Sequence, residues 1–183
     1  MVYILDGAGQ RRLFSYFDGI GRLLGRSERR ESFGIYAMGL LGDGERKSVE
    51  PIAARACGDP TRCRAIHEKL LNFVTESPWR DQPIREYASR YGIKGMTMRQ
   101  EIEAWIVDDT GFPKQGDKSG WSAAAVQRQY TGTLGKTGNC QVAPSLTICT
   151  RTQELPIDMD LYLPRSWTDD RGRCRAAHIP DDV

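Results

Sequence analysis

Ile102-Glu103-Ala104-Trp105-Ile106-Val107-Asp108-Asp109-Thr110-Gly111-Phe112 is the stretch whose reading decides the fold. Trp105-Ile106-Val107 is an apolar, β-prone run that ends in two carboxylates, and Thr110-Gly111 then breaks it. Alternation along a strand sets Trp105, Val107 and Asp109 on one face and Ile106 and Asp108 on the other. A carboxylate at the tip of a buried strand is costly unless it is paired, hydrogen-bonded or bound to a cation. Mg²⁺ takes hard oxygen ligands, usually one or two carboxylates completed by water and phosphate oxygens. Two such ions can activate a nucleophile and stabilise the leaving oxygen in phosphodiester chemistry. One strand cannot build that site alone, so the local pattern leaves two readings open: a metal site, or a strand that exits to solvent at Asp108.

Before this strand the apolar period is helical. Leu13, Phe17, Ile20 and Leu24 recur at helical spacing and lead into the basic stretch Arg26–Arg30. Phe33, Tyr36 or Ala37, and Leu40 repeat the spacing. A third helix starts at Ser48, with Glu50 and Pro51 in its first turn. Asp59-Pro60 opens a fourth, whose apolar face is Cys63, Ile66, His67, Leu70, Leu71 and Val74. Ser77-Pro78 stops it. Pro83, Ile84, Tyr87, Ala88 and Tyr91 make a last helix, closed by Gly92. Residues 1–92 therefore read as an all-helical module and residues 93–183 as a second region.

After the strand comes a Gly/Lys-rich loop, Gly111–Gly120. Tyr130-Thr131-Gly132-Thr133 reads as the start of a second strand, and Cys140, Val142, Leu146 and Ile148 alternate along it. Leu155, Ile157, Met159, Leu161 and Leu163 alternate in a third, with Asp158, Asp160 and Tyr162 facing the other way. Arg151–Glu154 is a four-residue hairpin connection. The fold class is α+β: helices, then a three-stranded antiparallel sheet. The five leucine-to-methionine positions of the third strand are expected to share one apolar face that needs cover. Pro144 falls inside the second strand and removes a ladder donor, which suits a bulge or a strand break. Ser166 or Thr168 is placed to cap a short helix before Pro180.

Composition narrows the function classes. The 183 residues are 39% apolar and 27% charged, with a formal net charge of +2. That suffices for a packed core and neither demands nor excludes nucleic acid, because clusters matter more than totals. Five cysteines without a CxxC pair fit a reduced, cytoplasmic chain better than a disulfide framework, and Cys57 and Cys63 are read as ordinary thiols. Two histidines, His67 and His178, argue against a His-rich zinc site, and His67 reads as a half-buried core residue. The start of the chain lacks the pattern of a signal peptide, and no apolar run reaches membrane-spanning length. Gly132-Thr133-Leu134-Gly135-Lys136-Thr137 is not a phosphate loop: the spacing would need glycine where Tyr130 stands. Arg26, Arg29, Arg30, Arg46 and Lys47 alternate with acids, and read either as a solvated helix face or as a DNA-facing surface.

Gly39–Pro51 (GLLGDGERKSVEP), Trp105–Gly116 (WIVDDTGFPKQG), Tyr130–Gln141 (YTGTLGKTGNCQ) and Leu161–Pro164 (LYLP) together resemble the DDE-type insertion-sequence transposases of bacteria. The resemblance covers most of residues 33–180, in order. It implies an RNase H-like catalytic core, of which the first three antiparallel strands are present and which is incomplete, behind a helical, DNA-binding region at residues 1–92. It also implies Mg²⁺-dependent DNA cleavage at element ends, followed by strand transfer. The family's first catalytic carboxylate ends the first core strand just before Thr or Ser. Asp109, followed by Thr110, matches that place as catalytic residue and metal ligand; Asp108 matches it less well. The second Asp and the Glu of the family belong to later elements and find no match up to Val183. The implied partners are DNA at insertion-sequence ends, contacted by Arg26, Arg29, Arg30, Arg46 and Lys47, and a homodimer or a heterodimer with full-length transposase. The implied location is cytoplasmic, at the nucleoid.

Ser119–Gln129 (SGWSAAAVQRQ) departs from the shorter, valine-rich link that the family pattern implies. With one matched carboxylate, the expectation is a truncated transposase inactive alone. Two other readings remain beside it: a non-catalytic DNA-binding or dimer-forming remnant, and a decayed reading frame with no role.

Overall fold

The fold comes from a computed structural model, which describes residues 6–114, 124–177, 179 and 181. Backbone contacts divide it into two compact units, Met1–Tyr91 and Gly92–Val183.

The first unit is helical. Its elements are α1 (Gly7–Leu24), α2 (Ser27–Leu41), α3 (Val49–Ala56), a 3₁₀ turn (Pro60–Arg62), α4 (Cys63–Thr75) and the greater part of α5 (Gln82–Thr97). The Asp6 carboxylate accepts from the Gly9 N–H at 2.6 Å and caps α1. Two apolar clusters hold the unit together. Ile20, Leu24 and Phe73 form one, flanked by Tyr16, Phe33, Trp79, Ile84 and Tyr87. Ile52, Ala53 and Leu70 form the other, flanked by Ile35, Tyr36, Val49 and Ile66. The buried stripe of α4 is thus rotated from the expected one: Phe73 is enclosed, while Leu71 and Val74 are exposed. The cause is Trp79, whose ring stacks on Phe73 at 5.5 Å while its indole N–H donates to the Phe73 carbonyl at 2.8 Å.

Two expectations fail in this region. Helix α5 does not close at Gly92 but runs on to Thr97. Gly92 is there for proximity: a Cβ would lie 2.7 Å from Leu155 Cδ2. Cys57 and Cys63 are also not free thiols. They form a disulfide across the α3–α4 joint, with Cα atoms 5.3 Å apart. Asp59-Pro60 turns the chain back sharply enough to bring together two cysteines that sequence spacing alone did not pair.

The second unit is a four-stranded antiparallel sheet, not a three-stranded one. Its strands are β1 (Ala104–Pro113), β2 (Gln127–Thr131), β3 (Lys136–Cys149) and β4 (Glu154–Met159), followed by the short helices α6 (Arg165–Thr168) and α7 (Arg171–Ala176). The expected second strand is two strands, because Gly132–Gly135 makes a turn in which the Gly135 N–H donates to the Thr131 carbonyl at 3.0 Å. The long β3 organises the sheet. It pairs with β1 from Ala104↔Cys149 to Pro113↔Cys140, with β2 from Gln127↔Cys140 to Thr131↔Lys136, and with β4 from Glu154↔Cys149 to Met159↔Ser145.

A register shift between Leu146 and Thr147 marks a bulge in the β3–β4 pair. It changes the parity of β4, because one extra residue exchanges the two faces. Leu155 pairs with Ile148, whereas Met159 pairs with Ser145 on the opposite face. The single apolar face expected from Leu155 to Leu163 is therefore split. Pro144 is accommodated in extended β3 without a break. Its carbonyl accepts from the Asp160 N–H at 3.1 Å, so its missing donor falls on the edge where β4 has already ended. The core of this unit lies at Cys140, Ala143, Ile148, Cys149, Trp167 and Cys174. The Trp167 indole N–H donates to the Val126 carbonyl at 3.0 Å, and the Arg173 guanidinium lies 3.8 Å over its ring. Pro164 and Asp170, rather than Ser166 or Thr168, stand at the starts of α6 and α7.

Candidate active site

Asp109 lies within β1, not at its tip, because the strand continues through Thr110 and Gly111 to Pro113. Nor is this strand buried. Trp105 is 64% and Val107 73% exposed, and β3 is the only strand paired with β1 among the described residues. The burial cost of the two carboxylates is thus small. Alternation does separate them: Asp109 sits opposite Pro144, and Asp108 opposite Ser145 on the other face. The Asp108 carboxylate accepts from the Asp109 N–H at 2.9 Å. The Asp109 carboxylate itself has no hydrogen bond or ion pair among the described residues, and so keeps its oxygens open to a ligand.

Around Asp109 the sheet forms a cleft of about 350 Å³. Gly111 continues its floor on β1, Val142 and Pro144 line it from β3, Thr131 and Tyr130 from β2, and Tyr162 from the segment after β4. The β2–β3 turn reaches back to β1 here: Thr133 Oγ1 donates to the Gly111 carbonyl at 2.9 Å. Gly111 is required at this approach, because a Cβ would collide with the Thr131 side chain. Thr131 is itself buried, and its hydroxyl lacks a hydrogen-bond partner among the described residues. Strand pattern marked Asp108 and Asp109 together, the family resemblance pointed to Asp109, and neither indicated this cleft. Tyr162 and the β2–β3 turn enter it through non-local pairing that no local period encodes.

Register adds one relation. Asp160 and Tyr162 bond through their N–H groups to the Pro144 and Val142 carbonyls, and Asp158 pairs with Leu146. This puts Asp158 and Asp160 on the sheet face that Asp109 occupies, but two strands from it, a separation of about 10 Å. Among the described residues no three His, Cys, Asp or Glu side chains gather into a metal-holding group. Asp109 therefore offers one hard carboxylate ligand rather than a complete cage.

The five basic candidates of the helical unit divide by their contacts. Arg29 donates to the Leu24 carbonyl at 3.2 Å, and Arg30 to the Gly25 carbonyl at 3.0 Å, closing the C-terminal end of α1 where cations are favoured. Lys47 donates to the Gly42 carbonyl. Arg26, at the start of α2, and Arg46 are exposed. Guanidinium groups that spend one donor on a carbonyl keep others free for phosphate. Among the described residues, no helix is long and apolar enough to cross a membrane.

Comparison with known proteins gives these features a lineage. Residues 15–183 match the family model of the DDE superfamily endonucleases. Over 137 residues the chain is 31% identical to a probable transposase for insertion sequence element IS701 from Microchaete diplosiphon, a match that covers 74% of this chain and 32% of that protein. The chain thus spans about a third of the length of that relative. No solved structure matches. Asp109 and its cleft fall inside the matched region, and the chain belongs to the DDE superfamily endonucleases.

Proposed function

We propose that this chain carries the DNA-binding helices and the first metal-binding strand of an insertion-sequence transposase. The observation that carries the reading is the family match through residues 15–183, with the open carboxylate of Asp109 standing in a cleft on β1 inside it. In this reading residues 93–183 are part of an RNase H-like core. DDE superfamily endonucleases generally depend on a divalent metal. The donor chemistry of Asp109 fits such an ion: an exposed, unpartnered carboxylate is a hard ligand that Mg²⁺ accepts while retaining water. A bound ion would supply Lewis-acid stabilisation of a phosphodiester oxygen. The chain's own part is to hold that carboxylate at a fixed register opposite Pro144 and to shape the cleft beside it.

Residues 1–92 would grip DNA through phosphate contacts from Arg26, Arg29, Arg30, Arg46 and Lys47, which position the duplex without reading its sequence. That assigns the chain to DNA at insertion-sequence ends and to the nucleoid, as a homodimer or beside a full-length copy. The other two carboxylates of the site are not matched in these residues, so we infer that the chain alone binds DNA without cutting it.

Titration of the purified chain against duplex DNA at two salt concentrations tests the reading. Binding should weaken steeply with salt, because each phosphate contact releases a counterion. The same samples with Mg²⁺ or Mn²⁺ should show no nicking. Absence of binding at low salt would remove the DNA-facing role of the helices. Metal-dependent nicking that Asp109→Asn abolishes would show that the remaining ligands lie within the chain.

A further inference from the structure

The Cys57–Cys63 disulfide has no part in that reading. It joins the end of α3 to the start of α4 across a short, exposed loop, Gly58–Arg62. Both cysteines are only half-buried, whereas Cys140, Cys149 and Cys174 are buried free thiols. A disulfide that solvent reaches is open to exchange; one enclosed in a core is not.

A cleft of about 410 Å³ opens beside the loop that the pair closes, lined by Glu31, Ala56, Gly58, Asp59, Arg62 and Lys69, with the two cysteines next to its lining residues in sequence rather than among them. Its charges are not equivalent. Lys69 is engaged by Glu31 at 2.6 Å, and the Asp59 carboxylate accepts from the Thr61 N–H and hydroxyl. Arg62, next to Cys63, has no hydrogen bond or ion pair from its guanidinium among the described residues. A peptide-sized cleft, one uncommitted guanidinium and a reachable sulfur pair define a ligand chemistry: a small thiol that bears a carboxylate.

We propose that Cys57–Cys63 is a reversible modification site for carboxylate-bearing thiols of the glutathione class, with Arg62 holding the carboxylate. A thiolate attacks one protein sulfur and breaks the disulfide; the other cysteine leaves as thiolate and takes a proton. A second thiolate attacks the small-molecule sulfur of the mixed disulfide and releases the first cysteine, which takes a second proton. The protein gains two electrons and two protons, and two small thiols become one disulfide. Opening the clasp loosens the joint on which α3, only eight residues long, presents Ile52 and Ala53 to Leu70 of α4.

The test uses the full chain equilibrated in mixtures of reduced and oxidised glutathione. A maleimide traps the free thiols, and peptide masses assign them. Cys57 and Cys63 should become labelled together as the mixture turns reducing, and protected again on reoxidation, while Cys140, Cys149 and Cys174 stay protected. The reduced chain should melt about 5–10 °C lower. Arg62→Ala should slow opening by reduced glutathione several-fold and leave opening by uncharged 2-mercaptoethanol unchanged. Cys57→Ser and Cys63→Ser chains should each take up one glutathione. Four results would overturn the proposal: a pair that stays protected in reduced glutathione, a pair labelled in every mixture, labelling that appears only together with the buried cysteines, or an Arg62→Ala effect equal for both thiols.

Discussion

In the helical unit Ile52 and Leu70 are fully enclosed, whereas in the sheet unit Trp105 and Val107 stand on β1 64% and 73% exposed. Both pairs look alike in sequence: apolar residues at the spacing proper to their element. The difference lies in what faces them. A helix in the first unit meets its neighbours across short connections, so its apolar stripe is covered by residues close in sequence, as Leu70 is by Ile52 and Ala53. β1 is paired along one edge only, and its Trp105–Val107 face is left exposed, among the described residues. Local period reports which side of an element is apolar; whether that side is covered depends on long-range topology.

The largest effect that could break this contrast is a matched pair of truncations. Leu70→Ala should cost about 2–5 kcal/mol, through lost burial and the cavity left behind. Val107→Ala, at an exposed position, should change stability by less than about 0.5 kcal/mol. Urea denaturation of both variants measures this, and equal losses would mean that β1 is as covered as α4.

Glycines sharpen the contrast next, since two in the same helix should respond with opposite signs. Gly92→Ala places a methyl 2.7 Å from Leu155 Cδ2 and should destabilise by about 1–3 kcal/mol. Gly95→Ala meets nothing within 4 Å and should stabilise by up to about 1 kcal/mol, because alanine loses less backbone freedom in a helix. Thermal melts of the two variants on either side of the parent are the check.

A smaller effect concerns the loop between α3 and α4. The Thr61 N–H, and then its hydroxyl, hold the Asp59 carboxyl below its ordinary value of 3.8. A lowered folded value means that the stabilisation is fully present above pH 3.8 and is lost as pH falls through the folded value. Carboxyl NMR titration of the folded chain should place Asp59 below 3.8, and Asp59→Asn should remove its share of the acid slope.

What the sequence made legible follows the same division. Helical spacing located α1 and α4, and Asp59-Pro60 marked the start of the latter. The α+β class, the strand at Trp105 and the opposite facing of Asp108 and Asp109 were all readable, because each rests on residues adjacent in the chain. The misreadings arise where distant residues decide. Gly92 reads as a stop signal, yet α5 passes through it, and the missing side chain leaves room for Leu155. The bulge at Leu146/Thr147 exchanges the faces of β4, and the 14-residue β3 takes three partners where the pattern suggested two. The disulfide was invisible because a six-residue separation becomes a contact only through the turn at Pro60. At the candidate site, the resemblance pointed to Asp109, while Thr131, Tyr162 and the cleft they share with it depend on non-local pairing. Residues 119–123 of the unusual link Ser119–Gln129 lie outside the described residues, as do His178 and Asp182.

We propose that Asp109, not Asp108 and not the acids after β3, is the carboxylate that takes the metal. Mn²⁺ added to the isotopically labelled chain tests it directly, since a bound paramagnetic ion broadens the nearest amide signals. Asp109 and Thr110 should broaden first, Gly111 should follow, and Asp109→Asn should remove the effect while the spectrum stays folded. Broadening centred on Asp108, on Asp158 and Asp160, or on Asp169 and Asp170, and unchanged in Asp109→Asn, would contradict it.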